Sequence, residues 1–410
     1  MGVLRFLLVI LMVAISSMTL AATGWSDNDV RALNVAPDFT LLLLGGLFVM
    51  LMQAGFAIIE GGYDPESKTF SIFLINYLAA FVGNILYSFA LFLFCFLFGD
   101  HLHQFGLPFQ SWQWHFFIFY MLMATTVTMV VSRIIPRNIS LLQYWWIALF
   151  ISGVIFSALS RWVWGQGNEI EGFLRNLGFI DFAGATVVHS TAAWIVLAGY
   201  WVLGQEQQEL IRRKDVMFSD YKLLSMALAG FILWLAWSGL NIGYISAQRI
   251  DIQDVVINTI AALSGAVIMV IALGIMTKQK ISFEKLIKAA LGGLVAITGC
   301  GGMVSMSSSL WIGAVAGLMV FILIEQLKRW ITAKNIVDVL VIHGLCGVWG
   351  TLAVVFADRS TIVDRQQVSL LTQGLGVLVT FVWSMGLAIV LFKLVHWYGV
   401  KMNPPIQNKR

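Results

Sequence analysis

The feature of this 410-residue chain that most restricts its fold is a succession of long apolar runs separated by short polar connections. A bilayer core about 30 Å thick requires about 20 apolar residues for each helical crossing, and runs of that length recur from one end of the chain to the other. Only 11% of the residues are charged, against about 25% in soluble domains. The sequence therefore predicts an all-α polytopic membrane protein with little room for a soluble domain.

We predict eleven transmembrane helices from these runs. They lie near residues 38–62, 70–98, 114–134, 141–163, 180–204, 223–245, 252–276, 286–302, 305–326, 337–357 and 368–397. Residues 1–22 contain an apolar run followed by small residues, which is typical of a secretory signal peptide; an uncleaved first span is the alternative. The predicted domains are thus a signal peptide over residues 1–22 and a membrane domain over 23–410, with a short cytoplasmic tail from about residue 398.

The distribution of basic residues predicts the orientation. Cleavage of the signal peptide would leave the mature N-terminus outside, and eleven crossings would then bring the C-terminus into the cytoplasm. With Arg5 set aside, 18 of the Lys and Arg residues lie on the side assigned inside and 6 on the side assigned outside, as the positive-inside rule requires. We expect a multi-pass protein of the cytoplasmic (inner) membrane. The basic residues form no single patch, which argues against a nucleic-acid partner.

Two histidines lie within apolar spans, His189 in the fifth and His343 in the tenth. Ionisable side chains in membrane spans usually face a cavity or the bundle interior and mark a pathway. A displacement of five spans means that the two helices run in opposite directions, as in an inverted five-plus-five repeat followed by an extra eleventh helix. Pseudo-two-fold symmetry would bring the two imidazoles together. The alternative is a pair of unrelated histidines that merely bridge helices.

A buried imidazole pair has a chemistry suited to small polar solutes. Desolvation favours the neutral ring, and two neutral rings can share one N–H while still offering donors or acceptors. Asp181 precedes His189 by eight residues, about 12 Å along a helix, so we expect the two on one face. Asp181 would cap the helix or stabilise a cation arriving from outside. Asp338 is predicted to cap the tenth helix.

These residues and their surroundings resemble the ammonium transporter family (Amt/Mep, with Rh proteins as relatives). The matching segments are Asp181 to Ala193, Met52 to Glu60 in the first span, Ile342 to Thr351 in the tenth, Leu291 to Thr298 and Gly376 to Thr380. The resemblance covers almost the whole mature chain, in order.

The resemblance implies a homotrimer in which each eleven-helix protomer has its own pore, lined by His189 and His343. It implies a transporter or channel for ammonium or ammonia, with methylammonium as a further substrate, rather than an enzyme, and no cofactor or metal. Ammonium is recruited and deprotonated at the outer entrance, and ammonia and the proton pass by separate routes. Desolvation is consistent with this, because an ion enters a hydrocarbon-lined pore at a high free-energy cost and a neutral molecule does not.

Several positions depart from the family pattern. The paired gating phenylalanines align with Met123 and Leu240, neither of which has the ring quadrupole of a cation–π contact. Tyr244 replaces a serine of the outer recruitment site, where Trp164 matches the family tryptophan with Asp181 as support. Trp237 is assigned to support of the pore vestibule.

The chain also ends at Arg410 without the longer acidic tail of the family, which argues against a PII-type regulator. The departures leave two alternatives open. One is an ammonium sensor on the same scaffold, with little flux and a separate signalling partner. The other is a transporter of another small amine or neutral solute.

Overall fold

The computed structural model of the chain describes residues 41, 43–58, 71, 72, 74–83, 85, 86, 114–132, 134, 140–164, 172–203, 220–242, 251–331, 333–356 and 368–402. Within these ranges every regular element is helical, so the predicted all-α class is confirmed. The predicted signal peptide, residues 1–22, lies outside the described residues. The described helices belong to one compact unit that begins at Leu41.

Eleven helical segments of the described residues follow the eleven predicted spans, and a short helix, Phe173–Asn176, lies between the fourth and the fifth. We number them α1 (Leu43–Ile58), α2 (Leu74–Gly83), α3 (Trp114–Ser132), α4 (Leu141–Trp164), α5 (Ala185–Leu203), α6 (Asp220–Ile242), α7 (Ile252–Thr277), α8 (Phe283–Thr298), α9 (Met306–Leu327), α10 (Lys334–Phe356) and α11 (Leu370–Met402). Seven of them, α4 to α7 and α9 to α11, are long and apolar enough to cross a membrane by length and composition.

Polar residues at the starts of these apolar helices satisfy the first free amides, which have no partner within the helix. The hydroxyl of Ser140 accepts a hydrogen bond from the amide of Gln143, whose side chain accepts one from the Ser140 amide in return. The side chains of Asp251, Ser282 and Ser305 each accept one backbone amide bond at the starts of α7, α8 and α9. Each cap marks the point where a polar connection gives way to an apolar run.

Small residues allow α7 and α9 to pack closely. Gly313 faces the backbone of Ala262, and Gly317 faces the backbone of Ala266. A Cβ on either glycine would overlap the facing backbone, so no larger residue fits without a shift. Gly313 and Gly317 therefore permit close helix packing in a setting where hydrophobic burial alone does not drive association.

The two histidine-bearing helices, α5 and α10, run in opposite directions. The first turn of α5, Ala185–Ser190, packs against the later Cys346–Leu352 part of α10. The first part of α10, Lys334–Val339, packs against the later Thr191–Leu203 part of α5. The beginning of each helix therefore meets the end of the other, as the inverted repeat predicts, and the middle of the crossing holds both histidines.

Candidate functional site

Both histidines lie in π-helical turns. His189 belongs to the turn Ala185–Ser190 at the start of α5, and His343 to the turn Leu340–Leu345 within α10. Such turns change the direction in which side chains project from a helix, and they are frequent at functional sites. No residue pattern in the sequence signalled these turns.

The two imidazoles form a buried pair, which confirms the prediction that they meet. Nδ1 of His343 lies 3.2 Å from Nδ1 of His189, the ring centroids are 5.2 Å apart and the ring planes differ by 29°. His189 is 0% exposed and His343 is 3% exposed. Next to them, the Ser190 hydroxyl of α5 donates to the Gly344 carbonyl of α10 at 3.0 Å. This bond therefore joins the two helices where they cross, next to the imidazole rings.

The geometry defines the hydrogen-bonding capacity of the pair. With both rings neutral, one Nδ1 carries the hydrogen and the other accepts it, so one ring presents Nε2 as an acceptor and the other presents Nε2–H as a donor. Nε2 of His189 is buried and has no hydrogen-bond partner among the described residues. An unused buried imidazole nitrogen is a ready binding point for a small molecule with N–H groups and a lone pair.

Two aromatic side chains frame the pair. The indole of Trp237 stacks on His189 with centroids 4.9 Å apart and an angle of 16°, and its Nε1–H donates to the hydroxyl of Thr298 at 2.8 Å. Phe56 lies 6.0 Å from the ring of His343 and 6.5 Å from that of Trp237. The sequence analysis singled out Trp237 but not Phe56, although Phe56 stands inside the Met52 to Glu60 segment.

The carboxylate of Asp181 caps α5 and is 2% exposed. It accepts four backbone hydrogen bonds at 2.8–3.1 Å, from the amides of Gly184, Ala185, Thr186 and Val187. These bonds occupy both oxygens, so the capping prediction is confirmed. The expectation that Asp181 shares a helical face with His189 is wrong, because α5 begins only at Ala185 and Asp181 lies in the turn before it.

That turn depends on Gly184. Its φ is +102°, a conformation that residues with a Cβ rarely adopt, and a Cβ there would lie 2.5 Å from Cγ2 of Val188. Two further bonds hold the turn against α8: the amide of Phe182 donates to the Gly299 carbonyl at 2.9 Å, and that of Ala183 to the Thr298 carbonyl at 2.7 Å. The turn that carries the Asp181 cap is therefore held in place by α8 as well as by α5.

Trp164 lies beside the cap, as the sequence comparison with the family predicted. Its Nε1–H donates to the backbone carbonyl of Asp181 at 2.8 Å. Its indole ring lies parallel to the ring of Tyr120, with centroids 6.0 Å apart and an angle of 3°. Tyr120 was not predicted, since the third span contains several aromatic residues and its sequence does not show which one faces α4. Tyr244 lies outside the described residues.

The two positions aligned with gating phenylalanines are both interior. Met123 of α3 and Leu240 of α6 are each 0% exposed and belong to the main apolar core. The structure places each of them in a closely packed environment rather than on an open surface. Any aromatic ring introduced there would have to displace neighbouring side chains.

A side chain from the last helix ties the site together, and sequence reasoning missed it. The carboxamide of Gln373 in α11 accepts from the Ile180 amide at 2.9 Å and donates to the carbonyls of Ile180 at 2.8 Å and Thr351 at 3.0 Å. It thereby joins the turn before α5 to the end of α10. In the sequence, the only sign of this role is a glutamine within the apolar eleventh span, and the sequence does not show its partners.

Asp338 does not cap α10, so that prediction is wrong. It lies in the second turn of the helix, and Oδ2 forms an ion pair with Nζ of Lys288 in α8 at 2.7 Å. The N-terminal cap position is Ala333, whose side chain makes no capping bond. The sequence could not indicate this pairing, because Lys288 is 50 residues away and on another helix.

Comparison with known proteins agrees with this architecture. The family model described as Ammonium Transporter Family matches residues 40–403. A curated relative from Synechocystis sp. is 30% identical over 393 residues, which cover 89% of this chain and 70% of that protein. Ammonium transporter Amt2 of Archaeoglobus fulgidus is 27% identical, covering 96% of this chain and 90% of the relative. A solved structure described as a sensor Amt protein is 26% identical, with a TM-score of 0.73, covering 93% of this chain and 100% of that one.

Proposed function

The chain belongs to the ammonium transporter family, and from this premise we propose that it moves ammonium or ammonia across a membrane along a path past His189 and His343. The observation that carries the proposal is the buried imidazole pair with its 3.2 Å Nδ1 to Nδ1 contact. The surrounding spans are apolar, so a neutral solute passes at low cost and an ion does not. The pair supplies polar contacts within that apolar path.

The pair also offers a route for a proton that is separate from ammonia. A proton released by ammonium and accepted at one free Nε2 displaces the shared hydrogen across the Nδ1 to Nδ1 bond. The second ring then releases the proton from its own Nε2. One proton enters and one leaves, and both rings end neutral with their tautomers exchanged.

Recruitment of the cation takes place beside the turn that precedes α5 in this proposal. Trp164 and Tyr120 present parallel rings beside Asp181, and ring faces attract cations. The Asp181 carboxylate already accepts four amide bonds, so it acts through its charge and by holding the turn rather than as a direct ligand. Met123, Leu240 and Tyr244 modify the selectivity of this entrance. Methylammonium is the alternative substrate that tests the size of the site.

The remaining parts of the proposal concern assembly and location. We place the protein in the cytoplasmic (inner) membrane as a homotrimer, with the N-terminus outside after removal of residues 1–22 and the C-terminus in the cytoplasm. The 18 to 6 distribution of basic residues supports the orientation. The exposed apolar side chains of α7, such as Ile268 and Ile275, are available for lipid or neighbouring protomers.

The experiment that tests transport is ammonium-evoked current from the full chain reconstituted in vesicles on a solid-supported membrane. We expect a current with ammonium and a smaller one with methylammonium, because methylammonium is the larger cation and has one N–H group fewer. A matched assay is growth of a transport-deficient strain on low ammonium. If the reconstituted protein gives no ammonium current and does not restore growth, the transport proposal is wrong.

A sensor is the second candidate, favoured by the 26% identity to the solved sensor Amt protein along its whole length. A sensor would bind ammonium with little flux and pass the signal to a separate partner. Thermal unfolding of the purified protein with and without ammonium distinguishes the two. Ammonium-dependent stabilisation without current favours the sensor, whereas stabilisation together with current favours the transporter.

A further inference from the structure

Lys288 and Asp338 form a mostly buried ion pair at the end of the bundle where α8 and α10 begin. Nζ of Lys288 lies 2.7 Å from Oδ2 of Asp338 and 2.6 Å from Oε1 of Glu284. The side chains of Lys288 and Asp338 are only 17% and 16% exposed, whereas that of Glu284 is 37% exposed. The Lys288 to Asp338 contact is therefore the desolvated part of the cluster, where a charge has most effect.

The pair lies on the opposite side of the imidazoles from the Asp181 cap. Asp338 precedes His343 by five residues in one continuous helix, roughly 7.5 Å along the axis. The Asp181 cap begins α5, whose first turn packs against the far part of α10. Along the bundle axis, Asp338 therefore lies beyond the imidazoles from the Asp181 cap, on the side toward which a solute arriving from that cap would leave.

The second oxygen of Asp338 is unused. Oδ1 is buried and has no hydrogen-bond partner among the described residues. A carboxylate oxygen in that condition readily accepts an N–H donor, and a cation with N–H groups most readily of all. Lys288, on the other oxygen, opposes the binding of a second cation, and Lys328 adds a weaker positive charge at longer range. Glu284 adds a further negative charge to the cluster from its more exposed position.

We propose that Lys288 is a specificity-determining residue, whose positive charge prevents Asp338 from holding a permeating ammonium ion. This inference rests on the proposed function, since it concerns a solute that passes the imidazole pair. With Lys288 present, the charge of Asp338 is compensated and neutral ammonia leaves unhindered. Without Lys288, the carboxylate loses its closest compensating charge and binds ammonium through Oδ1 and Oδ2.

The test compares K288M with two further variants in the full reconstituted chain. K288Q keeps a neutral hydrogen-bond donor, and the double variant K288M/D338N removes both charges. The matched control is K328M, which also breaks an ion pair, but a more exposed one. Nζ of Lys328 lies 2.8 Å from Oε1 of Glu325, and the two side chains are 31% and 57% exposed. The measurements are ammonium-evoked current against concentration, and thermal unfolding in ammonium chloride and in choline chloride at equal ionic strength.

We expect K288M to lower both the half-saturating ammonium concentration and the maximal current by about tenfold, since a newly available charge contact has at least that effect on affinity. Ammonium should raise the melting temperature of K288M more than choline does and more than in the wild type. K288Q should show the same changes in weaker form. K288M/D338N should return to wild-type half-saturation, and K328M, which leaves the Lys288 to Asp338 pair in place, should shift half-saturation far less than K288M does.

A purely structural role for Lys288 predicts a different result. K288M would then melt at a lower temperature by the same amount in both salts, with wild-type half-saturation, and our inference would be overturned. If the wild type gives no ammonium current, the proposed function fails, but the melting comparison still decides the inference. An ammonium-specific gain in K288M or K288Q supports it, and equal shifts in the two salts refute it.

Discussion

The hydroxyl groups of Thr186 and Thr351 lie 2.6 Å apart, so the helices that carry the two histidines are joined by a second side-chain hydrogen bond. Thr186 stands three residues before His189 in the same π-helical turn. Thr351 belongs to the end of α10, and its carbonyl accepts a bond from Gln373. The imidazole contact therefore depends on more than the two rings. The Thr186 to Thr351 bond joins α5 and α10 near one end of the π-helical turn, and the Ser190 to Gly344 bond joins them at the other.

The first prediction concerns this crossing. Thr351→Val removes the hydroxyl and leaves that of Thr186 buried without its partner, which should reduce the free energy of unfolding by about 1–3 kcal/mol. We expect a lower melting temperature and a reduced ammonium current. Thr277→Val is the control, because that hydroxyl bonds only within α7 at an exposed site. Equal effects of the two substitutions would mean that the contact between α5 and α10 does not matter.

The second prediction concerns the cap. Asp181→Asn replaces one carboxylate oxygen by an NH₂ group that faces backbone donors, so at least two of the four capping bonds are lost. Loss of bonds to a buried charged acceptor should cost about 3 kcal/mol or more and abolish current. Asp251→Asn is the matched control, since Asp251 caps α7 at the surface through one bond to Gln253. A stable, conducting Asp181→Asn protein would contradict the assigned role.

The third prediction concerns the imidazole pair. Because the rings share one hydrogen bond, His189→Ala, His343→Ala and the double variant should reduce ammonium current to about the same level rather than additively. His396→Ala, at an exposed position in α11, should leave the current unchanged. A double variant much weaker than either single variant would show that the rings act independently.

The fourth prediction concerns the two positions without aromatic gates. Met123→Phe and Leu240→Phe each place a larger side chain in a 0% exposed site and should each cost about 1–3 kcal/mol. If Met123 borders the entrance, its phenylalanine should lower the half-saturating ammonium concentration through a cation–π contact. Melting temperatures and current titrations check the two effects separately. An unchanged half-saturating concentration in Met123→Phe would remove this position from the entrance.

The helices and the histidine pair were accessible from the sequence because each rests on a local or repeating property. The length of an apolar run predicts a crossing, and the five-span displacement of His189 and His343 predicts opposed helices. The capping role of Asp181 was also predictable, since an aspartate before an apolar run commonly caps it. The same reasoning failed for Asp338, because the partner of a side chain one turn inside a helix depends on which residue of the neighbouring helix faces it.

The sequence by itself determined that this chain is a bundle of apolar helices with two histidines in oppositely directed spans, because these properties follow from the order of residue types. Only the tertiary structure decided that the two Nδ1 atoms meet, that Asp181 lies outside α5, that Gln373 reaches Ile180 and that Lys288 pairs with Asp338. These contacts depend on the crossing of helices and on π-helical turns, where a shift of one residue changes which side chains face each other. A local sequence pattern contains no information on the distance and direction between segments that are remote in the chain.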